Sequence, residues 1–168
     1  MRIHIATDHA GLETSHFLID SLSAAGHDVF DHGPKSFDPL DDYPGFCINA
    51  ALAVIADQQA GVQALGVVLG GSGNGEQMAA NKVAGIRAAL VWNQDTAKLA
   101  RSHNDANVIA VGARQHSKEE VLELIKTFIQ VFTSVLSYSD VFFPFCFHGA
   151  ASRAVFVSLH HAEFSQSE

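Results

Sequence analysis

The sequence predicts an α/β protein: a three-layer αβα sandwich around a five-stranded parallel sheet, followed by a tail of different character. Three observations carry this. Up to about residue 133, short β-branched runs alternate with longer amphipathic ones, the signature of repeated βα units. With 168 residues, 48% of them hydrophobic, the chain is long enough for one buried core, and its two cysteines close at most one disulfide. Each apolar run ends in Gly, Asp, Asn or Thr, the residues that turn a strand into a loop.

Strands are predicted over 2–7, 27–31, 64–69, 86–91 and 107–111, and helices over 11–25, 43–57, 75–82, 94–103 and 117–132. In the last helix Val121, Leu122, Leu124, Ile125, Phe128, Ile129 and Phe132 recur at the spacing of one buried face. Ser117 stands at its N-cap with Glu120 three residues on, so a capping box is available. Helical crossovers between parallel strands cover both faces of such a sheet, giving a doubly wound, Rossmann-like domain with the expected strand order 2-1-3-4-5. Ligands bind beyond the C-terminal ends of the strands, where that order opens a crevice between the first and third.

Composition narrows the function. Eighteen acidic residues against ten basic ones give a net charge of -8, no footprint for nucleic acid. Met1 leads directly into Arg2-Ile3-His4-Ile5, without the charged and apolar regions of a signal peptide, and no apolar run reaches the length of a membrane span. A cytoplasmic protein with no membrane association is expected.

The two most unusual loops fall at the expected crevice. After the third strand comes Gly70-Gly71-Ser72-Gly73-Asn74-Gly75-Glu76, four glycines in six residues opening a helix, whose N–H groups suit an oxyanion or a phosphate. Familiar nucleotide and nucleophile motifs fail on identity. Glu76 and Gln77 stand where a P-loop needs Lys and Ser/Thr, Glu76 replaces the third glycine of a dinucleotide fingerprint, and Asn74 replaces the second glycine of a nucleophile elbow. Glu76 is placed as a general base, or else as a dipole-compensating residue of the first helical turn. After the first strand come Asp8 and His9, positioned either for acid–base work or as a helix cap and a solvent-facing loop residue. His103 and Asn104 follow the fourth helix, where a C-cap is the competing reading. Arg114, beyond the fifth strand, is a phosphate partner or a surface charge. Cys47 reads as core. His160 and His161 lack metal-ligand spacing, so no metal site is expected.

Together Thr7-Asp8-His9-Ala10-Gly11, Asp41-Asp42-Tyr43-Pro44, Gly70 to Gln77, Ala79-Ala80-Asn81-Lys82-Val83 and Ala100-Arg101-Ser102-His103-Asn104 closely resemble the type B ribose-5-phosphate isomerases and the wider sugar-phosphate isomerase family, over about residues 1–133. Many members carry a catalytic cysteine just before the glycine-rich loop, where this chain has Gly70. The actinobacterial type uses a glutamate at the loop's end, matching Glu76. The resemblance implies an aldose–ketose isomerase of ribose 5-phosphate and ribulose 5-phosphate. Asp8 and His103 would open the sugar ring, and Glu76 would move the proton between C2 and C1 through a cis-enediolate. The N–H groups of Gly71, Ser72, Gly73, Asn74 and Gly75, with the Ser72 hydroxyl, would hold the developing charge. His9, Asn104 and Arg114 would bind substrate oxygens or phosphate, and Tyr43 would line the pocket. It also implies a homodimer with shared sites and chemistry that needs no metal or organic cofactor. Alternatives are galactose 6-phosphate, allose 6-phosphate or a tetrose phosphate as substrate, or a weakly active binding protein.

That last alternative rests on the tail. Six of the twelve Phe lie in residues 135–168, together with a single cation, Arg153. Family members continue into a basic C-terminal helix whose arginines reach the partner's phosphate site, and this chain has no such pattern. The abrupt change predicts a boundary at 133/134, with a tail derived from a shifted reading frame or altered gene end, or else genuinely diverged.

Overall fold

The computed structural model describes residues 1–131; the predicted boundary and the Phe-rich segment 134–168 lie outside them. Along the chain run β1 (Arg2–Thr7), a 3-10 turn (His9–Gly11), α1 (Leu12–Ala24), β2 (Asp28–Asp31), α2 (Tyr43–Gln59) and β3 (Ala64–Gly70). Then follow α3 (Asn74–Ala80), β4 (Ala88–Leu90), α4 (Gln94–Ser102), β5 (Val108–Gly112) and α5 (Lys118–Gln130). Every predicted strand and helix is present, with ends shifted by up to two residues. The Ser117–Glu120 capping box opens α5 as expected, and Val131, whose backbone is extended, caps its C-terminal end.

All strand pairings are parallel. The order is β2-β1-β3-β5-β4, so the expected 2-1-3-4-5 is corrected at one edge. Burial explains the exchange. All five residues of β5 are buried, which an interior strand requires, whereas β4 has three residues, two of them partly exposed, and suits an edge.

Side chains alternate between two cores. Ile3, Ile5, Leu65, Val67, Leu69, Ile109 and Val111 meet α1, α4 and α5 through Leu18, Leu22, Ala97, Ala100, Leu124, Ile125 and Phe128. On the opposite face Ala6, Val68, Val108 and Ala110 meet Cys47, Ala50, Ala51 and Val54 of α2 and Ala79 and Ala80 of α3. Small residues bring α2 and α3 close to the sheet and hold the start of α3 against the end of β3. Among the described residues no helix is long and apolar enough to cross a membrane.

The edge exchange matters for the site. With β5 beside β3, Ala113 N–H donates to Gly70 O (2.8 Å) and Arg114 N–H to Gly71 O (3.3 Å), tying the loop after β5 to the glycine-rich loop.

Candidate active site

Three of the loop's glycines are required by what surrounds them. Gly73, the N-cap of α3, has φ 81°, and a Cβ there would lie 2.9 Å from the backbone carbonyl carbon of Val111. A Cβ on Gly75 would meet the Tyr43 ring at 2.5 Å, so Tyr43, the first residue of α2, braces the loop directly. A Cβ on Gly70 would fall inside the Glu76 carboxylate. At Gly71 the nearest atoms are those of Arg114, 3.7 Å away, which places that guanidinium along the loop. Ser72 Oγ accepts from Asn74 N–H and Asn74 Nδ2, both at 3.3 Å, so the loop is cross-braced internally.

Glu76 is the third residue of α3, where a carboxylate reaches back toward the N-cap amide. It is 4% exposed. Burial raises its pKa above the ordinary glutamate value; its own N–H and that of Gly73 pull it down, and the Asp8 carboxylate pushes it up. Glu76 therefore stands in the first turn of α3 as a buried carboxylate whose charged form is made less favourable. Cys47 lies beneath. Its thiol is pushed up to about 12 by burial and by the Glu76 and Asp8 carboxylates, so it is core and not a nucleophile.

Asp8 directly follows β1, caps the 3-10 turn and is buried, its Oδ1 accepting from Ala10 N–H at 2.9 Å. His9 follows in the 3-10 turn. Its backbone N–H (2.9 Å) and ring Nδ1–H (2.7 Å) both donate to Asp41 Oδ1, from the loop before α2. The sequence analysis gave Asp41 no role. Its signal was there, in the Asp41-Asp42-Tyr43-Pro44 motif, but only the fold brings it to His9. Asp8, His9 and Asp41 carry oxygen and nitrogen atoms within 4.8 Å of one another, the one such group among the described residues. The Asp8 and Asp41 Oδ1 atoms are committed to backbone N–H groups and the His9 ring, while Asp41 Oδ2 is buried without a hydrogen-bond partner.

The structure gathers Asp8, His9, Tyr43, Gly71, Ser72, Gly73, Asn74, Gly75, Glu76 and Arg114 at one end of the sheet. His103 and Asn104 are elsewhere. They follow α4, which returns to the opposite end, and Arg87, just before β4, donates from Nε to Asn104 O (3.2 Å) and Asp105 O (2.8 Å). Between the Gly66–Val108 and Gly70–Gly112 pairings β3 advances four residues, about 13 Å at strand rise. In this chain His103 therefore lies at the opposite end of the sheet from Glu76. The turn bearing His103 and Asn104 is nevertheless firmly built. Asp105, at φ 45°, pairs with Arg87 (2.6 Å) and Arg101 (3.1 Å), and both His103 and Asn104 are exposed.

A buried carboxylate behind a loop of amide donors, at the C-terminal end of a parallel sheet, defines a proton-transfer enzyme whose substrate develops an oxyanion. A ribose/galactose isomerase family model matches residues 3–137, and the chain belongs to that family; it is an isomerase. Ribose-5-phosphate isomerase B of Mycolicibacterium paratuberculosis is 49% identical over 129 residues, 77% of this chain and 79% of the relative. That of Mycobacterium tuberculosis is 48% identical over 77% of each. The structure of ribose-5-phosphate isomerase B from Mycoplasma genitalium with bound ribulose-5-phosphate superposes with a TM-score of 0.73 at 31% identity, covering 96% of each chain.

Proposed function

We propose that the protein interconverts D-ribose 5-phosphate and D-ribulose 5-phosphate, a step of the pentose phosphate pathway, with Glu76 as the base. The observation that carries this is the buried Glu76 carboxylate, packed against the Gly70 backbone and influenced by Asp8 at the switch point between β1 and β3. Once the sugar ring is open, Glu76 takes the C2 proton of the aldose and returns it to C1, while the hydroxyl proton passes from O2 to O1. Charge moves onto the C1 and C2 oxygens as the cis-enediolate forms. The N–H groups of Gly71, Ser72, Gly73, Asn74 and Gly75, with the Ser72 hydroxyl, face that charge from a loop already fixed by Tyr43 and Val111, so little reorganisation accompanies the reaction. Asp8 moves a proton during ring opening, and Arg114 and His9 take the phosphate and neighbouring oxygens. No step calls on a metal or organic cofactor.

His103 and Asn104 act on the same substrate when supplied by a second copy of the chain. A homodimer with composite sites fits the outer face of α2 and α3, where Leu52 is 53% and Met78 62% exposed. Residues 1–133 form the isomerase domain in this reading, 134–168 an atypical appendage with Arg153 as its single cation, and the enzyme works in the cytoplasm.

A coupled assay over ribose 5-phosphate, galactose 6-phosphate, allose 6-phosphate and a tetrose phosphate tests the assignment. Turnover with ribose 5-phosphate that disappears in Glu76→Gln is expected. Preference for another sugar would reassign the substrate, and full activity of Glu76→Gln would remove Glu76 as the base.

A further inference from the structure

We propose that Asp41 is a positioning residue for His9: it fixes the ring so that Nε2 is the nitrogen offered to the substrate's phosphate, and it balances the imidazolium charge when phosphate binds. The inference rests on the phosphate-binding role given to His9 above.

Two bonds from one residue converge on one oxygen. Asp41 Oδ1 accepts both the backbone N–H and the ring Nδ1–H of His9, an arrangement that sets the place of the residue and the rotation of its ring together. With Nδ1 donating, the tautomer is decided, and among the described residues nothing takes Nε2. An anion at Nε2 needs a proton there. The ring is then an imidazolium held between two anions, the phosphate outside and the Asp41 carboxylate behind.

Asp41 is itself held firmly. Its side chain is 10% exposed, against 25% for His9. Asp38 fixes the turn leading to it, accepting Leu40 N–H on Oδ1 (2.9 Å) and Asp41 N–H on its carbonyl (3.2 Å). Phe37 from the same loop stands edge-on to the His9 ring, centroids 6.0 Å apart. Loop and ring therefore form one unit joining the end of β1 to the start of α2, the two elements that also carry Asp8 and Tyr43.

The test uses the full chain as wild type, Asp41→Ala, Asp41→Asn, His9→Ala and the Asp41→Ala/His9→Ala double variant. Nitrogen NMR of the wild-type His9 ring is expected to show a protonated Nδ1 and a bare Nε2, with Nε2 gaining a proton when inorganic phosphate is added. Asp41→Ala loses that signature. Its KM for ribose 5-phosphate and its inhibition constant for inorganic phosphate rise about tenfold, the scale of one hydrogen bond to a charged group, while kcat holds within about twofold. Asp41→Asn keeps an acceptor oxygen but not the charge, so it restores the Nδ1–H tautomer and recovers only part of the loss. The double variant is no worse than His9→Ala, because Asp41 acts through His9. An Asp41→Ala effect that persists undiminished without His9, a fall in kcat at unchanged KM, or a wild-type ring protonated on Nε2 alone would overturn the proposal. A wild type inactive on ribose 5-phosphate would overturn the proposed reaction instead, and the ring spectra would still report on Asp41.

Discussion

Any side chain at Gly70 would occupy the space that the Glu76 carboxylate fills, with Oε2 also only 2.9 Å from the Cβ position. The obstructing atoms are the end of a flexible side chain, so Gly70→Ala displaces the carboxylate and leaves the fold nearly intact. The expected outcome is a drop in kcat of about 100-fold or more, the contribution of a positioned base, with thermal unfolding little changed. Gly73→Ala should do the reverse. It meets the Val111 backbone and adopts a left-handed conformation, so unfolding falls first, by about 1 kcal/mol or more. Calorimetry beside the coupled assay separates the two.

Relatives with cysteine before the loop would place its sulfur where Glu76 now lies. Gly70→Cys/Glu76→Ala should therefore regain turnover over Glu76→Ala alone, and lose it to iodoacetamide. Cys47 does not confuse the readout, being fully buried with its thiol pushed up to about 12. Turnover of the double variant that resists alkylation would show that the cysteine is not serving as base.

The raised pKa of Glu76 has a consequence for stability as well as rate. Burial, opposed by the Glu76 and Gly73 amides and reinforced by Asp8, raises the folded-state pKa, so ionised Glu76 destabilises the fold at neutral pH. Its contribution is fully present below the unfolded glutamate pKa and is lost as pH rises through the folded value. Glu76→Gln should thus abolish activity yet unfold at a higher temperature than wild type at pH 7, with the advantage vanishing near pH 4, about the unfolded value. In the wild type, kcat/KM falls in acid with an apparent pKa above an ordinary glutamate's. Asp8→Asn, which removes a charge that raises the Glu76 pKa, moves that limb to lower pH.

Much of this was legible in the chain. Five strands and five helices follow from hydrophobic period and turn residues, because each element of a buried parallel sheet is locally consistent. The glycine-rich loop and Glu76 are legible for a related reason, since Gly73 is left-handed and pressed on the Val111 backbone, while a Cβ at Gly70 or Gly75 would strike the Glu76 carboxylate or the Tyr43 ring. The exchange of β4 and β5 was not legible, since both runs are apolar and β4 loses its interior place only through its shortness. The Asp41–His9 pairing joins residues 32 apart in sequence, which no local pattern encodes. Nor did spacing show that His103 lies at the far end of the sheet; that needs the direction of α4.

A second polar network lies away from the site. Asp57 Oδ2 accepts from His4 Nε2 (2.9 Å), leaving His4 Nδ1 to accept from His32 Nε2 (3.0 Å), while Arg2 pairs with Asp57 Oδ1 (2.6 Å). Burial lowers the His32 pKa, and His4 and Lys35 add to this against Asp31. A depressed histidine contributes stability that is present above the unfolded value of about 6.5 and lost as pH falls through the folded one. The unfolding midpoint should therefore decline below pH 6.5, and His32→Gln should flatten that decline without changing kcat. An unaltered pH profile in His32→Gln would remove His32 as its origin.

The separation of His103 from Glu76 leads to the sharpest prediction about assembly. If each site takes Glu76 from one chain and His103 from its partner, Glu76→Gln and His103→Ala are each inactive as homodimers. Unfolding and refolding them as an equal mixture makes half the dimers hybrid. In a hybrid, one site pairs both defects and the other contains wild-type Glu76 and wild-type His103. Mixing two inactive proteins should then restore about a quarter of wild-type turnover, by the symmetry of a two-fold dimer. Sites confined to one chain would give none, because no chain in the mixture carries both residues. The firm Arg87–Asp105–Arg101 brace makes the experiment clean, since it holds the His103 turn through the backbone and its neighbours and not through the imidazole itself. His103→Ala should accordingly unfold with wild type, and its loss of turnover would report the missing ring alone.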